Sequence, residues 1–319
     1  MQYRLSKKVQ TMRPSFVDKI FALIASPDII SFAGGLPGRE HFPVAAIKAA
    51  ADKVLSEETG SDALQYSGTP KGYPPLVNHI VKRYAGRGLN VLPEEILVLN
   101  GSQQAMDLTA KVFIDEGDGI IVENPSYLGA LDGFTYYQPK FTVVQLEKDG
   151  VNLEQLEAAA KDKKNKIFYS VPTFQNPTGL TYSDEKRKKA AEILAKNNVM
   201  LFEDDPYGEL RFKGQHPQLM TSFAPDNSVI YGSFSKIISP GVRLGWLRAP
   251  KALIDKFVLL KQATDLHSGT LTQRIVAQFL QDNNIDEHIA KVSKSYAVQC
   301  QAMLDAMKEY FHKTFNWCI

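Results

Sequence analysis

Four short polar clusters carry the chemistry this sequence can offer, and each has an ordinary structural reading beside it. In Ser233-Phe234-Ser235-Lys236 an amine lies among hydroxyls, and Arg243 follows seven residues after the lysine. A lysine is usually a solvated surface charge, but one desolvated beside hydroxyls and a guanidinium has a depressed pKa and a free amine able to attack a carbonyl. Glu203-Asp204-Asp205-Pro206-Tyr207 offers three carboxylates. At a strand end these usually form a solvated edge or a helix cap, and a functional carboxylate there needs a cationic partner. Asn176-Pro177-Thr178-Gly179 is by itself a turn composition. Gly101-Ser102-Gln103 opens a helical pattern, where unpaired backbone N–H groups and the positive end of the macrodipole suit a phosphate. Alone it reads as a strand-to-helix turn capped by Ser102.

The elements that must hold these clusters follow from periodicity. Short apolar runs at 96–99, 119–122, 142–146, 167–171, 199–202, 229–231 and 244–247 alternate with helical spacing such as 103–114 and 184–196, which predicts an α/β fold with a parallel sheet flanked by helices. The second of these helices is well marked, with Ser183 as its cap, Asp184 and Glu185 in its first turn and Lys196 in its last. Helices are also expected at 44–55 and 76–84, with a turn-rich stretch from Tyr66 to Gly72 between them. The first forty residues read as an arm: an amphipathic piece over 16–24, a break at Pro27, then a loop rich in glycine and proline through Gly34, Gly35, Pro37 and Gly38. After Pro250 the spacing is helical throughout. There Ile285, Ile289, Val292, Tyr296, Met303, Met307 and Phe311 mark one face of a long helix, expected to lack a packing layer.

Each polar cluster stands at the carboxyl end of a predicted strand, where open α/β sheets place their ligands. A phosphate cradle, an amide loop, a carboxylate, then a lysine with hydroxyls and an arginine are the parts needed to hold pyridoxal phosphate. Its aldehyde needs an amine, its pyridine nitrogen a carboxylate, and its phosphate N–H groups, hydroxyls and a cation.

Composition removes other readings. The 319 residues are 44% apolar and 23% charged, which excludes a disordered or collagenous chain and suggests about two domains. The net charge of +2 gives no electrostatic case for nucleic acid or an anionic membrane. Cys300 and Cys318 are the only cysteines, too few for a disulfide framework, and His41, His79, His216, His267, His288 and His312 show no ligand spacing, so no metal is expected. Dinucleotide, P-loop, zinc-protease and serine-hydrolase motifs are missing. No apolar run approaches the roughly 18 residues of a membrane span, and no signal-peptide core opens the chain, so a cytoplasmic protein is expected.

With these residues in place, the chain resembles the fold type I, pyridoxal-phosphate-dependent class I/II aminotransferases, nearest the branch of 2-aminoadipate and kynurenine aminotransferases and the aminotransferase domain of MocR regulators. The likeness is carried by Phe32-Ala33-Gly34-Gly35-Leu36-Pro37, Leu64-Gln65-Tyr66, Gly101-Ser102-Gln103-Gln104, Asn124-Pro125-Ser126-Tyr127, Asn176-Pro177-Thr178-Gly179, Glu203-Asp204-Asp205-Pro206-Tyr207 and Ser233-Phe234-Ser235-Lys236 through Arg243-Leu244-Gly245-Trp246. It spans essentially the whole chain. It implies a mostly parallel seven-stranded sheet flanked by helices with an incomplete small domain: an arm at 1–40, a large cofactor-binding domain at 41–280, and a long helix at 281–319 leading into the small domain.

The resemblance also implies roles. Lys236 would bind the cofactor covalently and then act as general base and acid. Asp204 would pair with the pyridine nitrogen, and Tyr207 and Asn176 would hold the ring's 3-oxygen. Tyr127 would stack on the ring, while Ser102, Gln103, Ser233 and Arg243, with Ser235 beside them, would hold the phosphate. Tyr66 would reach the phosphate of a partner subunit, implying a homodimer with shared sites. Gly35 and Asn176 would meet the substrate. The implied reaction moves an amino group from an aromatic, branched-chain or 2-aminoadipate-like amino acid to a 2-oxo acid, chiefly 2-oxoglutarate, in a ping-pong cycle. A β- or γ-lyase, and a chain that binds the cofactor without transaminating, stand as alternatives. Two departures are expected to matter. Family members continue for several tens of residues and carry there an arginine for the substrate carboxylate, so the chain reads as truncated. Asp18 stands where relatives tend to place an arginine for an acidic side chain, which favours aromatic or branched-chain donors.

Overall fold

Strands β1 (Ile96–Leu99), β2 (Gly119–Asn124), β3 (Lys140–Glu147), β4 (Gly150–Val151), β5 (Asn165–Ser170), β6 (Met200–Asp204), β7 (Ser228–Ser233) and β8 (Gly245–Arg248) form one sheet in the order β1-β8-β7-β6-β5-β2-β3-β4. The structure is a computed structural model and describes residues 3–12, 20, 28–56, 58–312 and 314–315. The helices begin with α1 (Lys7–Thr11), α2 (Val44–Val54), α3 (Gly60–Leu64), α4 (Pro74–Gly86), α5 (Ser102–Phe113) and α6 (Leu128–Thr135). They continue with α7 (Leu153–Lys161), α8 (Asp184–Asn197), α9 (Lys251–Asp265), α10 (Thr270–Asp282) and α11 (Ile285–Tyr310).

β2 pairs in parallel with β3 and β5, β5 with β6 and β6 with β7, while β8 lies antiparallel between β1 and β7. All seven expected runs are strands. The sheet nevertheless has eight, because Gly150–Val151 folds back antiparallel on Leu146 and Glu147. A two-residue strand is too short to show any apolar period.

Alternation along β1 and β7 explains why both faces are dry there. Ile96, Val98 and Ile230 join Leu76, Ile80, Val276 and Phe279 of α4 and α10 on one side. Leu97, Leu99, Val229 and Tyr231 join Ala105, Leu108, Ile254 and Phe257 of α5 and α9 on the other. Strands buried on both faces read as continuous apolar runs, as these do. Each such Leu, Ile or Phe, fully removed from water, stabilises the fold by roughly 1.5–3 kcal/mol.

The marked helix at 184–196 is α8, and its cap is real: Ser183 Oγ accepts from the Lys186 N–H at 3.2 Å. The final helix, α11, is capped by Asn284, whose side chain accepts from the Asp286 and Glu287 N–H groups. Its stripe divides. Ile285, Ile289 and Val292 are buried, and the Tyr296 hydroxyl accepts the Gly38 N–H at 3.3 Å, while Met303 and Phe311 are exposed. Among the described residues no helix is long and apolar enough to cross a membrane. Asp18 and, apart from Ile20, the piece expected at 16–24 lie outside the described residues.

Candidate active site

The parallel order puts the ends of β2, β5, β6 and β7 on one rim of the sheet, and the start of α5 after β1 joins them because β8 threads between β1 and β7. Gly101 turns the chain from β1 into α5 with φ +82°, and a Cβ there would lie 2.6 Å from Arg243 Nη2. A side chain on Gly245 would lie 2.8 Å from the Ser102 nitrogen. Both positions therefore need glycine, and the missing side chains let Arg243, Gly101 and Ser102 crowd together. No side chain caps α5. The Gln103 amide donates to the Gly129 carbonyl at 2.9 Å, so what Gln103 offers a ligand is its backbone N–H. Ser233 is buried and its Oγ accepts from the Ser235 N–H at 3.1 Å, which fixes the turn leading to Lys236.

Lys236 Nζ lies 5.9 Å from the centroid of the Tyr207 ring. Burial first, then the Arg243 charge, lower its pKa from the ordinary lysine value. Desolvation disfavours the ammonium form and the guanidinium repels it, so the free amine gains population.

The three carboxylates are all buried, at 0, 3 and 8% exposure for Glu203, Asp204 and Asp205, and do not form a solvated edge. Glu203 accepts from the Met220 and Thr221 N–H groups at 3.0 and 2.7 Å and faces buried Arg187 at 3.7 Å. Asp205 pairs with Arg87. Among the described residues Asp204 is paired with no cation. Its Oδ2 accepts from the Tyr169 hydroxyl at 2.7 Å, and its Oδ1 is buried without a partner. Burial pushes the Asp204 carboxyl up to about 7, Asp205 and Glu123 push the same way, and the Tyr169 hydrogen bond opposes them. A buried orphan acceptor is costly, and an N–H donor carrying positive charge would satisfy it.

Tyr207 is raised to about 12 by burial and by Asp204, against a hydrogen bond from Asn176. Tyr127 is raised by burial and then by the charge of Asp204. A Cβ on Gly129 would sit 2.5 Å from the Tyr127 hydroxyl, so glycine there makes room for the ring. Asn176 stands in a loop pinned by Gln175, whose amide donates to Glu123 at 3.0 Å and to the Pro125 carbonyl at 2.8 Å, and whose oxygen accepts from Thr178.

Lys236, Asp204, Tyr207, Asn176, Tyr127, Ser102, Gln103, Ser233, Ser235 and Arg243 thus fall on one rim. Two expected residues stand apart from them. Tyr66 is 75% exposed and meets the His267 ring edge-on at 5.9 Å. Gly35, with φ +52°, has nothing within 4 Å of the position its Cβ would take. Tyr169, Glu123, Gln175, Arg87 and Arg187 were not singled out in the sequence. Tyr169 sits inside an apolar strand run, and only the register of β5 on β6 brings it to Asp204.

A family model described as "Aminotransferase class I and II" matches residues 27–318. Aromatic-amino-acid aminotransferase 1 of Thermococcus litoralis is 38% identical over 319 aligned residues, 98% of this chain and 76% of its own length. The Pyrococcus horikoshii kynurenine aminotransferase, solved in complex with PMP, superposes with a TM-score of 0.90 at 36% identity over 97% of this chain and 78% of its own. LysN, the α-aminoadipate aminotransferase of Thermus thermophilus solved with N-(5'-phosphopyridoxyl)-L-leucine, gives 0.88 at 35% identity over 97% of this chain and 77% of its own.

Proposed function

The chain belongs to the class I and II aminotransferases and transaminates through pyridoxal phosphate, and we propose that Lys236 and Asp204 are the centre of that machinery, with an aromatic, branched-chain or 2-aminoadipate-like amino acid as donor and 2-oxoglutarate as acceptor in a ping-pong cycle. The observation that carries the reading is Asp204 Oδ1, a buried acceptor without a donor among the described residues, in the same site as a lysine biased toward its free amine.

When bound, the cofactor supplies an aldehyde that condenses with amines and a ring that draws electron density from the substrate's Cα. Asp204 would keep the ring nitrogen protonated by giving it the acceptor that nothing else fills. Tyr207, held protonated by its raised pKa, would donate to the ring's 3-oxygen, which Asn176 shares while reaching the substrate carboxylate. Tyr127 would cover one ring face. The Ser102 and Gln103 N–H groups, the Ser233 and Ser235 hydroxyls and the Arg243 guanidinium would hold the phosphate. Lys236 Nζ, as a free amine, would take the proton from Cα and return it.

Tyr66, largely exposed, would complete the phosphate site of a second copy, so the working unit is a homodimer. In this reading 41–280 is the cofactor-binding domain, 1–40 an arm that carries Gly35 over the substrate, and 281–319 the segment whose long helix leads into the small domain. The names of the kynurenine, aromatic and α-aminoadipate relatives and the leucine adduct of LysN support the donor classes.

The test is a visible absorption spectrum of the chain with pyridoxal phosphate, alongside Lys236→Ala, before and after a panel of amino acids. A Lys236-dependent band that aromatic or branched-chain donors convert without any acceptor supports the proposal. A band that no amino acid changes overturns the donor assignment, and oxo-acid release without an acceptor would make the chain a lyase.

A further inference from the structure

We propose that Lys261 and Asp265 are positioning residues that set the geometry of the phosphate cradle by clamping Asn100 and Gln104, which bracket Gly101–Gln103. The inference rests on reading that turn as the phosphate site. Lys261 is a lysine at 1% exposure, on the last turns of α9, behind the start of α5. Its Nζ donates to both oxygens of Asp265 at 2.9 Å and to Gln104 Oε1 at 3.0 Å. Asp265 Oδ2 also accepts from Asn100 Nδ2 at 2.7 Å and from Gln104 Nε2 at 2.6 Å. Gln104 Oε1 closes the loop by accepting the Asn100 N–H at 2.9 Å.

Among the described residues, the side-chain hydrogen bonds that leave the ion pair therefore end on the two residues flanking the turn. Burying a lysine is costly, and a buried ion pair is often no more stabilising than apolar side chains of the same volume. What this pair supplies is a fixed arrangement, since a polar network whose members are all satisfied has few alternatives of comparable energy. Between the two pins Gly101 holds φ +82° and α5 starts without a side-chain cap. The backbone N–H groups of Ser102 and Gln103 are thereby held for a ligand, with Arg243 alongside.

The experiment compares the Kd of pyridoxal phosphate with that of pyridoxal, which lacks the phosphate, in the full chain and in Lys261→Met, Asp265→Asn and Arg243→Gln. Inorganic phosphate serves as a competitor. For Lys261→Met and Asp265→Asn, pyridoxal phosphate should weaken roughly tenfold, pyridoxal should stay within about twofold, and inorganic phosphate should lose its competition, as expected when hydrogen-bond donors to an anion are misplaced. A general structural loss would weaken both ligands together and would overturn the proposal. It also falls if Arg243→Gln lowers the phosphate preference while the clamp variants do not. If Arg243→Gln leaves the preference unchanged too, the cradle reading fails and takes this inference with it. Should Lys261→Met not fold, Asp265→Asn gives the same readout with the shape of the site kept; unfolding of both would make the pair a folding element and nothing more.

Discussion

Replacing Tyr169 by phenylalanine should move the ionisation of Asp204 without disturbing the packing around it. The ring stays where it meets Phe134 edge-on at 5.5 Å, and only the hydroxyl that donates to Asp204 Oδ2 at 2.7 Å is lost. A buried hydrogen bond to a charged acceptor is worth about 1.5–3 kcal/mol, and it acts on the ionised form alone. At about 1.4 kcal/mol per pKa unit, its loss raises Asp204 by roughly one to two units. Burial already holds Asp204 at about 7, so the empty wild-type site is near half-ionised at neutral pH. The variant should be about a tenth ionised or less there. The ionisation can be read directly in the cofactor-free chain, because a carboxylate and a carboxylic acid absorb at separate infrared frequencies. A difference titration against Asp204→Asn across the neutral and mildly alkaline range measures the midpoint with Tyr169 and with phenylalanine in its place. The midpoint in Tyr169→Phe should lie roughly one to two units higher. An unmoved midpoint in a folded variant would refute the assignment of Tyr169 as the group that keeps Asp204 ionisable.

The same carboxylate carries a stability cost. Its folded pKa, about 7, lies above the ordinary 3.8, so its contribution to stability is present at acid pH and is lost as pH rises from about 4 through 7. Asp204→Asn should therefore make the cofactor-free chain more stable at pH 8, by on the order of 4 kcal/mol, and no more stable below about pH 4, as chemical denaturation at the two pH values will show. Equal effects at both would mean that Asp204 ionisation is not what costs stability. For the shared sites, Tyr66→Ala and Lys236→Ala chains should each be impaired, yet a mixture refolded together should regain activity. In a mixed dimer one site combines an intact Lys236 with the intact Tyr66 of the other copy. No recovery in verified mixed dimers would place Tyr66 at its own subunit's site.

The strands were legible because a sheet covered on both faces writes itself as apolar runs, and the polar clusters at their ends inherit a common rim from parallel order alone. That is why the clusters holding Ser102, Asn176, Asp204 and Lys236 could be read from the sequence although they span more than a third of it, whereas Tyr127 came only with the resemblance. The division of labour among Glu203, Asp204 and Asp205 was half legible. Alternation along β6 sends Asp204 to the face of Phe202, opposite Glu203, but period alone does not say that the Asp204 face lacks a cation. That depends on Arg187 of α8 and on Arg87, the residue just after α4, which reach Glu203 and Asp205. Tyr169 was hidden for a related reason: its face follows from the alternation of β5, whereas its place opposite Phe202 is a matter of register. Lys261 and Asp265 were hidden more deeply, since a lysine four residues before an aspartate on a helix reads as a solvated surface pair. What distinguishes this pair is burial against Asn100 and Gln104, more than 150 residues away in the chain. The residues proposed to touch the ligand stand at strand ends and show as motifs, while those proposed to aim them are scattered through helices and strand interiors, where only the folded contacts give them away.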